Sequence, residues 1–321
     1  MKPKTIVVFC NKGDFYLARI CIASIRYYYP SANLYIVKDY LRGEFSSEEM
    51  ETYFNVKVLD LGIKKFGWSA AKLHFLLSDL FPNEQVTLLD ADIIFIGRVL
   101  DNLYKKFPNI DFIVDQYHVS NPRSEHIKSF YYDYDEIKKV EPDFIYPGYV
   151  FNGGQTIVKT GKLTESDIEN YFDRNNFPFY TNMKLMPLVD QSILNVVLHR
   201  KVQNNEITIA AQQYMLWSDQ ESISEIEIDD IKQGVKYPFL IHYAGSYKNE
   251  DISRMKRGDI LSFFENYYYS KIPKGMQKKV ARAVIPALKN IQYDAIKIVK
   301  DSVKDTFMEK IARVVIHVYK K

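Results

Sequence analysis

Hydrophobic positions along the first hundred residues come in short unbroken runs that alternate with stretches of helical spacing. The run "KTIVVFCN" predicts a buried strand. "FYLARICIASIRYYYP" predicts a helix closed by Pro30, because its apolar residues keep a helical period. "ANLYIVKD" then predicts a second strand, the polar "SSEEMETYF" a helix, "VKVLDL" a short strand, "SAAKLHFLLSDLFP" a helix, and "EQVTLLDADIIFIG" a further strand, "VTLL", that the aspartates end. Strands alternating with helices predict an α/β fold, Rossmann-like, with a mostly parallel sheet covered by helices on both faces. Ligands of such sheets sit beyond the carboxyl ends of the strands.

The alternation then loosens. Residues 116–147 form a polar, aromatic segment longer than an ordinary connection, which predicts a lid or binding surface. "VFNGGQTIV" predicts a strand, "LVDQSILNVVLH" a helix, and "YPFLIHYAGSYK" a strand ending in a turn. From Lys271 onward, Val280, Val284, Leu288, Ile291, Ile298, Val303, Phe307, Ile311 and Val318 keep one helical face apolar, with a break near Pro286. Residues 271–321 hold 13 Lys or Arg against 4 Asp or Glu, a net charge of +9; residues 1–270 hold 30 against 36, a net −6. The chain thus divides into a domain, 1–270, and a basic amphipathic tail, 271–321. Such a tail suits either adsorption to an anionic lipid surface or packing on the domain as a helical cap.

A length of 321 residues supports one large α/β domain with an appendage. At 47% hydrophobic and 26% charged the chain is ordinary globular material, and its 25 Tyr and 20 Phe exclude a disordered protein. Its two cysteines, Cys10 and Cys21, sit in apolar surroundings and suit reduced, buried thiols. Neither a signal-peptide pattern nor a run of 18 apolar residues occurs, so a cytoplasmic location is expected, with peripheral attachment to the inner membrane face through the tail. The basic residues gather in the tail without a recognised motif, so no nucleic-acid partner is expected.

Two carboxylates, Asp90 and Asp92, interrupt the apolar run of the fourth strand. Burying both costs several kcal/mol, on the order of that for any unpaired buried ion, unless a cation compensates. At a strand end the D-x-D spacing suits a hard divalent ion, Mn²⁺ or Mg²⁺, that bridges to phosphate oxygens. "HYAGSYK" supplies an imidazole, His242, a pliant glycine, Gly245, and a lysine suited to phosphate, Lys248. "FNGGQ" places Asn152 before Gly153 and Gly154, which permits a bulge or a close ligand approach. Asp190 and Gln191 open an apolar helix, where an aspartate also serves as a plain N-cap. Each motif alone has a plainer reading as a solvated strand end, a turn or a cap.

In one α/β chain, D-x-D followed about 150 residues later by H-x-x-G-x-x-K resembles the retaining GT-A glycosyltransferases of family eight, the glycogenin and bacterial lipooligosaccharide galactosyltransferase type. The resemblance runs from Lys4 to Lys248. It implies that Asp90, Asp92 and His242 hold Mn²⁺, with Ala91 between the aspartates at the donor, and that Gly245 and Lys248 face a diphosphate. It further implies that Lys72 reaches the donor, that Asn152 and Gly153 lie beside the transferred sugar with Asp115, Asp190 and Gln191 as catalytic residues, Gln191 near the β face as either a weak nucleophile or a dipole supporting front-face attack, and that Asn11 and Phe15 lie at the nucleoside. The activity so implied is hexosyl transfer from a UDP-sugar, UDP-glucose or UDP-galactose, to a saccharide or lipid-linked oligosaccharide in bacterial surface polysaccharide synthesis. Two positions depart from the family: "KNE" replaces the usual Pro-Trp continuation after the lysine, and Ser192 follows the D-Q pair where Asp is common. Competing readings are a haloacid dehalogenase-like phosphohydrolase, whose D-x-D ordinarily ends the first strand of its domain, and a non-catalytic sugar-binding protein.

Overall fold

A computed structural model describes residues 3–67, 70–181, 183, 185–245 and 252–284. Its first elements follow the expected alternation: β1 (Thr5–Asn11), α1 (Phe15–Tyr28), β2 (Asn33–Asp39), α2 (Glu48–Phe54), β3 (Val56–Val58) and α3 (Ala70–Leu76). The strand "VTLL" ends at the aspartates as expected, but the apolar run around them resumes beyond Asp92. It divides into β4 (Gln85–Asp90) and β5 (Ile93–Phe95), and these belong to different sheets. Then come α4 (Val99–Lys106), β6 (Phe112–His118), α5 (Glu125–Phe130), α6 (Tyr134–Val140), β7 (Tyr149–Lys159), α7 (Glu165–Ile168) and α8 (Val189–Gln203). β8 (Ile209–Ala211), β9 (Met215–Trp217), α9 (Ile228–Gln233), β10 (Leu240–His242) and α10 (Gly258–Ser270) complete the named helices and strands.

The main sheet has the order β3-β2-β1-β4-β7-β6-β8. Only β7 runs antiparallel to its neighbours, so the sheet is mostly parallel. Side-chain alternation on β1 shows why it must be covered twice: Ile6 and Val8 enter one apolar cluster with α1 and α10, whereas Val7 and Phe9 enter another with α3 and α8. Together the two clusters leave no face of β1 for solvent. Cys10 and Cys21 are free and buried, in keeping with their apolar neighbours.

A second sheet of three strands, β5-β10-β9, stands at the carboxyl edge of the first. Strand register sets the place of the histidine. His242 on β10 is opposite Ile93 on β5 and beside Trp217 on β9. Because β5 begins just after Asp92, and the Tyr243 N–H donates to the Asp92 carbonyl at 3.1 Å, pairing of these short strands carries the imidazole to the aspartates.

The segment 116–147 contains α5 and α6 rather than a structureless loop. Ser124 and Asp133 cap these helices through their side chains. Past α10, residues 275–284 are helical. There Lys278 and Arg282 pair with Glu49 of α2 at 2.7 and 2.9 Å, and Lys279 pairs with Glu265 of α10 at 3.0 Å. Those cations face the domain, while Met276, Val280 and Val284 on the same helix are exposed. The rest of the tail, 285–321, lies outside the described residues.

Candidate active site

Leu89 and Asp90 close β4 at the centre of the main sheet, where the chain turns toward the smaller one. Asp90, Asp92 and His242 each offer a ligand atom, and these atoms lie within 4.8 Å of one another. His242 Nε2 is 3.2 Å from Asp92 Oδ1. That contact is not aligned as a hydrogen bond: Asp92 Oδ1 and His242 Nδ1 are both buried without a hydrogen-bond partner among the described residues. Oxygen and nitrogen donors that converge without satisfying one another fit a divalent cation. Ala91, between the aspartates, is buried.

Burial raises the pKa of Asp90, with Lys72 opposing and Asp92 adding to the rise. Burial acts on Asp92 in the same sense, but the imidazole of His242 outweighs it and holds that carboxyl below its ordinary value. A third carboxylate approaches from β1's carboxyl end. Asp14 is pushed up to about 6, first by burial and then by the negative charges of Asp92 and Asp90. Four acidic or imidazole groups therefore crowd one point with a single buried ammonium, Lys72, behind them.

That ammonium is almost wholly buried, 2% exposed, and is committed on three sides. Its Nζ lies 2.6 Å from Asp90 Oδ1 and 3.5 Å from Asp190 Oδ2, and donates to the Gly153 carbonyl at 2.6 Å. The helix α3 that carries it is shorter than the apolar spacing predicts, ending at Leu76. Asp190 is not the N-cap of α8; Leu188 holds that place, and Asp190 turns from the first helical turn toward Lys72. Burial pushes its pKa up to about 7 although Lys72 pulls it down.

The paired glycines do mark a bulge. Between Val114 and Gln116 on β6, the partner β7 advances from Thr156 to Phe151, so Asn152 to Gln155 are displaced opposite Asp115. Gly154 packs so tightly that a Cβ there would sit 2.7 Å from His242 Cε1 and 3.1 Å from Asp90 Oδ2. Gln191 secures the bulge from α8. Its Oε1 accepts from Asn152 Nδ2 at 2.9 Å and from the Gly153 N–H at 2.8 Å, and its Nε2 donates to the Phe130 carbonyl at 2.9 Å. Asp115 Oδ1 accepts the N–H groups of Tyr214 and Met215 at 2.7 and 2.8 Å, which ties the middle of β6 to the start of β9. Burial nevertheless pushes its pKa up to about 7.

Two cavities open on either side of this cluster. The larger, about 750 Å³, is lined by Asp115, Asn152, Gln191, Trp217 and Gly245, with Tyr117, His126, Phe130 and Tyr131 of the long segment forming an aromatic wall. The smaller, about 210 Å³, is lined by Cys10, Asn11, Asp14, Asp39, Arg42 and Asp90 at the ends of β1, β2 and β4. Asn11 donates to Asp14 and accepts the Gly13 N–H at 2.7 Å. Phe15 is not among the residues lining the small cavity; its ring packs at a tilt against Phe45, with centroids 4.6 Å apart, and Arg19 lies above it. Lys248 lies outside the described residues.

Sequence reasoning missed Asp14, Asp39 and Trp217. Asp39 accepts the N–H groups of Leu41, Phe66 and Gly67 at 2.9, 3.0 and 2.9 Å, shaping the rim of the small cavity. A strand-terminal aspartate in "IVKD" was a legible signal for it, whereas nothing in "MLWSD" marks Trp217.

A mostly parallel sheet, a carboxylate pair where its central strand gives way to a smaller sheet, and cavities at the strand ends define a GT-A-type α/β protein. Residues 32–249 match the family described as glycosyl transferase family 8, and the chain belongs to that family. No curated protein sequence matches the chain. Among solved structures, the WbbM bifunctional glycosyltransferase in its apo form is similar over 86% of this chain and 51% of its own, at 15% identity and a TM-score of 0.55. The galactosyltransferase LgtC, solved with donor and acceptor sugar analogs, is similar over 86% of this chain and 99% of its own, at 15% identity and a TM-score of 0.51. GlyE of Streptococcus pneumoniae TIGR4 matches at 14% identity and a TM-score of 0.46, over 91% of this chain and 64% of its own. The chain thus spans about half the length of WbbM and just under two thirds of GlyE.

Proposed function

We propose that the protein transfers a hexose from UDP-glucose or UDP-galactose to a saccharide acceptor, with retention at the anomeric carbon, and that Mn²⁺ or Mg²⁺ bound by Asp90, Asp92 and His242 is required. The observation that carries this reading is the convergence of those three side chains, mutually unsatisfied, between two cavities of unlike character. When bound, the cation would neutralise charge developing on the departing diphosphate. The chain's own residues do the rest.

In this reading Asn11, with Asp39 at the rim, holds the nucleoside in the smaller cavity, and Gly245 and Lys248 lie along the diphosphate. The sugar occupies the mouth of the larger cavity, with Asn152, Gly153, Asp115 and Asp190 around its hydroxyls and the aromatic wall excluding water. Lys72 holds Asp90 and Asp190 in place from below. Gln191 is a fixed dipole rather than a nucleophile: its carbonyl oxygen already accepts two hydrogen bonds, which lowers the availability of its lone pairs. The acceptor then attacks from the face the leaving group vacates. Titrating UDP-glucose, UDP-galactose, their N-acetyl forms and GDP-sugars with manganese, read by thermal shift and product mass, tests this. A UDP-hexose should shift melting and turn over without a glycosyl-Gln191 adduct. Failure of every nucleotide-sugar to bind defeats the reading, and phosphate release from simple phosphoesters would favour a phosphohydrolase instead.

We also propose that the acceptor is lipid-linked, in surface polysaccharide or lipooligosaccharide synthesis, and that the basic tail brings the enzyme to an anionic surface. No helix among the described residues is long and apolar enough to cross a membrane. Lys278, Lys279 and Arg282 are engaged by Glu49 and Glu265, so the lipid-binding charge is assigned to residues 285–321 and the domain proper is extended to 284. Truncation after Val284 should therefore release the protein from phosphatidylglycerol vesicles while donor hydrolysis continues; unchanged sedimentation with vesicles would refute the tail's role.

A further inference from the structure

A metal-ligating histidine ordinarily has its ring plane fixed by a hydrogen bond from the nitrogen that does not touch the metal. His242 lacks that support among the described residues, since Nδ1 is buried without a partner while Nε2 faces Asp92. What touches the ring instead is aromatic. The indole of Trp217 lies 5.0 Å from the imidazole centroid at an interplanar angle of 19°, a near-parallel stack. At its Cε1 edge the imidazole meets the Gly154 backbone, with no room for a Cβ.

The stack is written into the backbone. Trp217 and His242 are register partners on the parallel strands β9 and β10, so their side chains leave the same face of the small sheet as neighbours. Beyond the pair, the Ser218 N–H donates to the His242 carbonyl at 3.0 Å. At the other end of β9, the N–H groups of Tyr214 and Met215 are fastened to Asp115, itself 5% exposed. Trp217 is therefore held at both ends of its short strand, and it also lines the large cavity.

We propose that Trp217 is a positioning residue for the metal site: its indole sets the plane of the His242 imidazole, a task for which no other described residue supplies a hydrogen bond to Nδ1. The inference rests on the reading of Asp90, Asp92 and His242 as ligands and goes beyond it, because Trp217 offers no ligand atom of its own. Since the same indole forms part of the cavity wall, whatever sugar enters there bears on the ring that presents the histidine.

The test is manganese affinity, read from the electron paramagnetic resonance signal of free Mn²⁺ in titrations of the full-length protein without donor. Trp217→Leu should weaken binding about 10- to 100-fold, the range for losing an outer-sphere partner. Trp217→Phe, which keeps an aromatic face, should recover most of that loss. In a His242→Ala background Trp217→Leu should add no further loss, because the ring it orients is gone; a merely structural role would weaken both backgrounds equally. Should Trp217→Leu not fold, Trp217→Met carries the same comparison. Wild-type affinity in the leucine or methionine variant, or equal losses in both backgrounds, overturns the proposal. Absence of manganese binding by the wild type overturns the metal reading and this inference together, and the two failures are thereby distinct.

Discussion

Replacing Asp92 with alanine should lower manganese-dependent donor turnover by about 10³-fold or more, the rate equivalent of several kcal/mol of lost charge stabilisation. Asp92 is a stronger test than Asp90 because its side chain has no committed cation: Asp90 is paired with Lys72 at 2.6 Å, whereas Asp92 meets only the edge of His242. The strand pairing beside it uses the Asp92 backbone carbonyl rather than its carboxyl group. Removing it also relieves repulsion on Asp14 and Asp90, both of which its charge pushes upward. The substitution also forfeits the attraction of His242, which holds the Asp92 carboxyl below its ordinary value, so the two effects oppose and the metal-free variant should melt close to the wild type. Manganese should raise the wild-type melting temperature and leave that of Asp92→Ala nearly unmoved. Turnover within tenfold of wild type, with the variant folded, would remove Asp92 from the ligand set.

The central sheet was legible because its strands are buried on both faces. Such strands appear as unbroken apolar runs, and "TIVVFC", "LYIV" and "VTLL" could hardly be anything else in a βα alternation. The same property hid the division between β4 and β5. "LLDADIIF" stays apolar on both sides of the aspartates because both halves are buried, though in different sheets, and neither glycine nor proline marks the switch. Short strands were the other blind spot. β8 and β9 have three residues each, too few for a period to register, yet the pairing of β9 with the legible strand β10 sets Trp217 beside His242. The candidate ligands could be picked from the sequence because carboxylates and an imidazole in apolar surroundings require a partner. Their supports were harder to find. That Lys72 lies beneath Asp90, and that Gln191 fastens the bulge, follows from tertiary packing across separations of 18 and 38 residues, which no local pattern encodes.

Lys72→Met should destabilise the fold by about 3–5 kcal/mol at pH 8, the usual cost of stripping the counter-ion from buried charges. Methionine fills a similar volume, so little of the loss would come from packing. What it removes is the ammonium shared by Asp90, Asp190 and the Gly153 carbonyl, leaving Asp190 Oδ2, already without a hydrogen-bond partner, facing a second carboxylate. The pH dependence has a definite sign. Even with Lys72 present, the Asp190 pKa stands at about 7 in the fold, above the ordinary carboxylate value of 3.8, chiefly through burial. A group so shifted binds its proton more tightly folded than unfolded, so stability declines as pH rises from the unfolded value toward the folded one. Removing Lys72 raises the folded values further and widens that window. The deficit of Lys72→Met relative to wild type, measured by urea denaturation, should thus be greatest near pH 8 and shrink toward pH 5. Manganese should stabilise the variant more than the wild type, because a cation on Asp90 supplies part of the missing charge. A deficit that is independent of both pH and manganese would mean that Lys72 acts through packing alone, and that the carboxylates above it are held by something other than its charge.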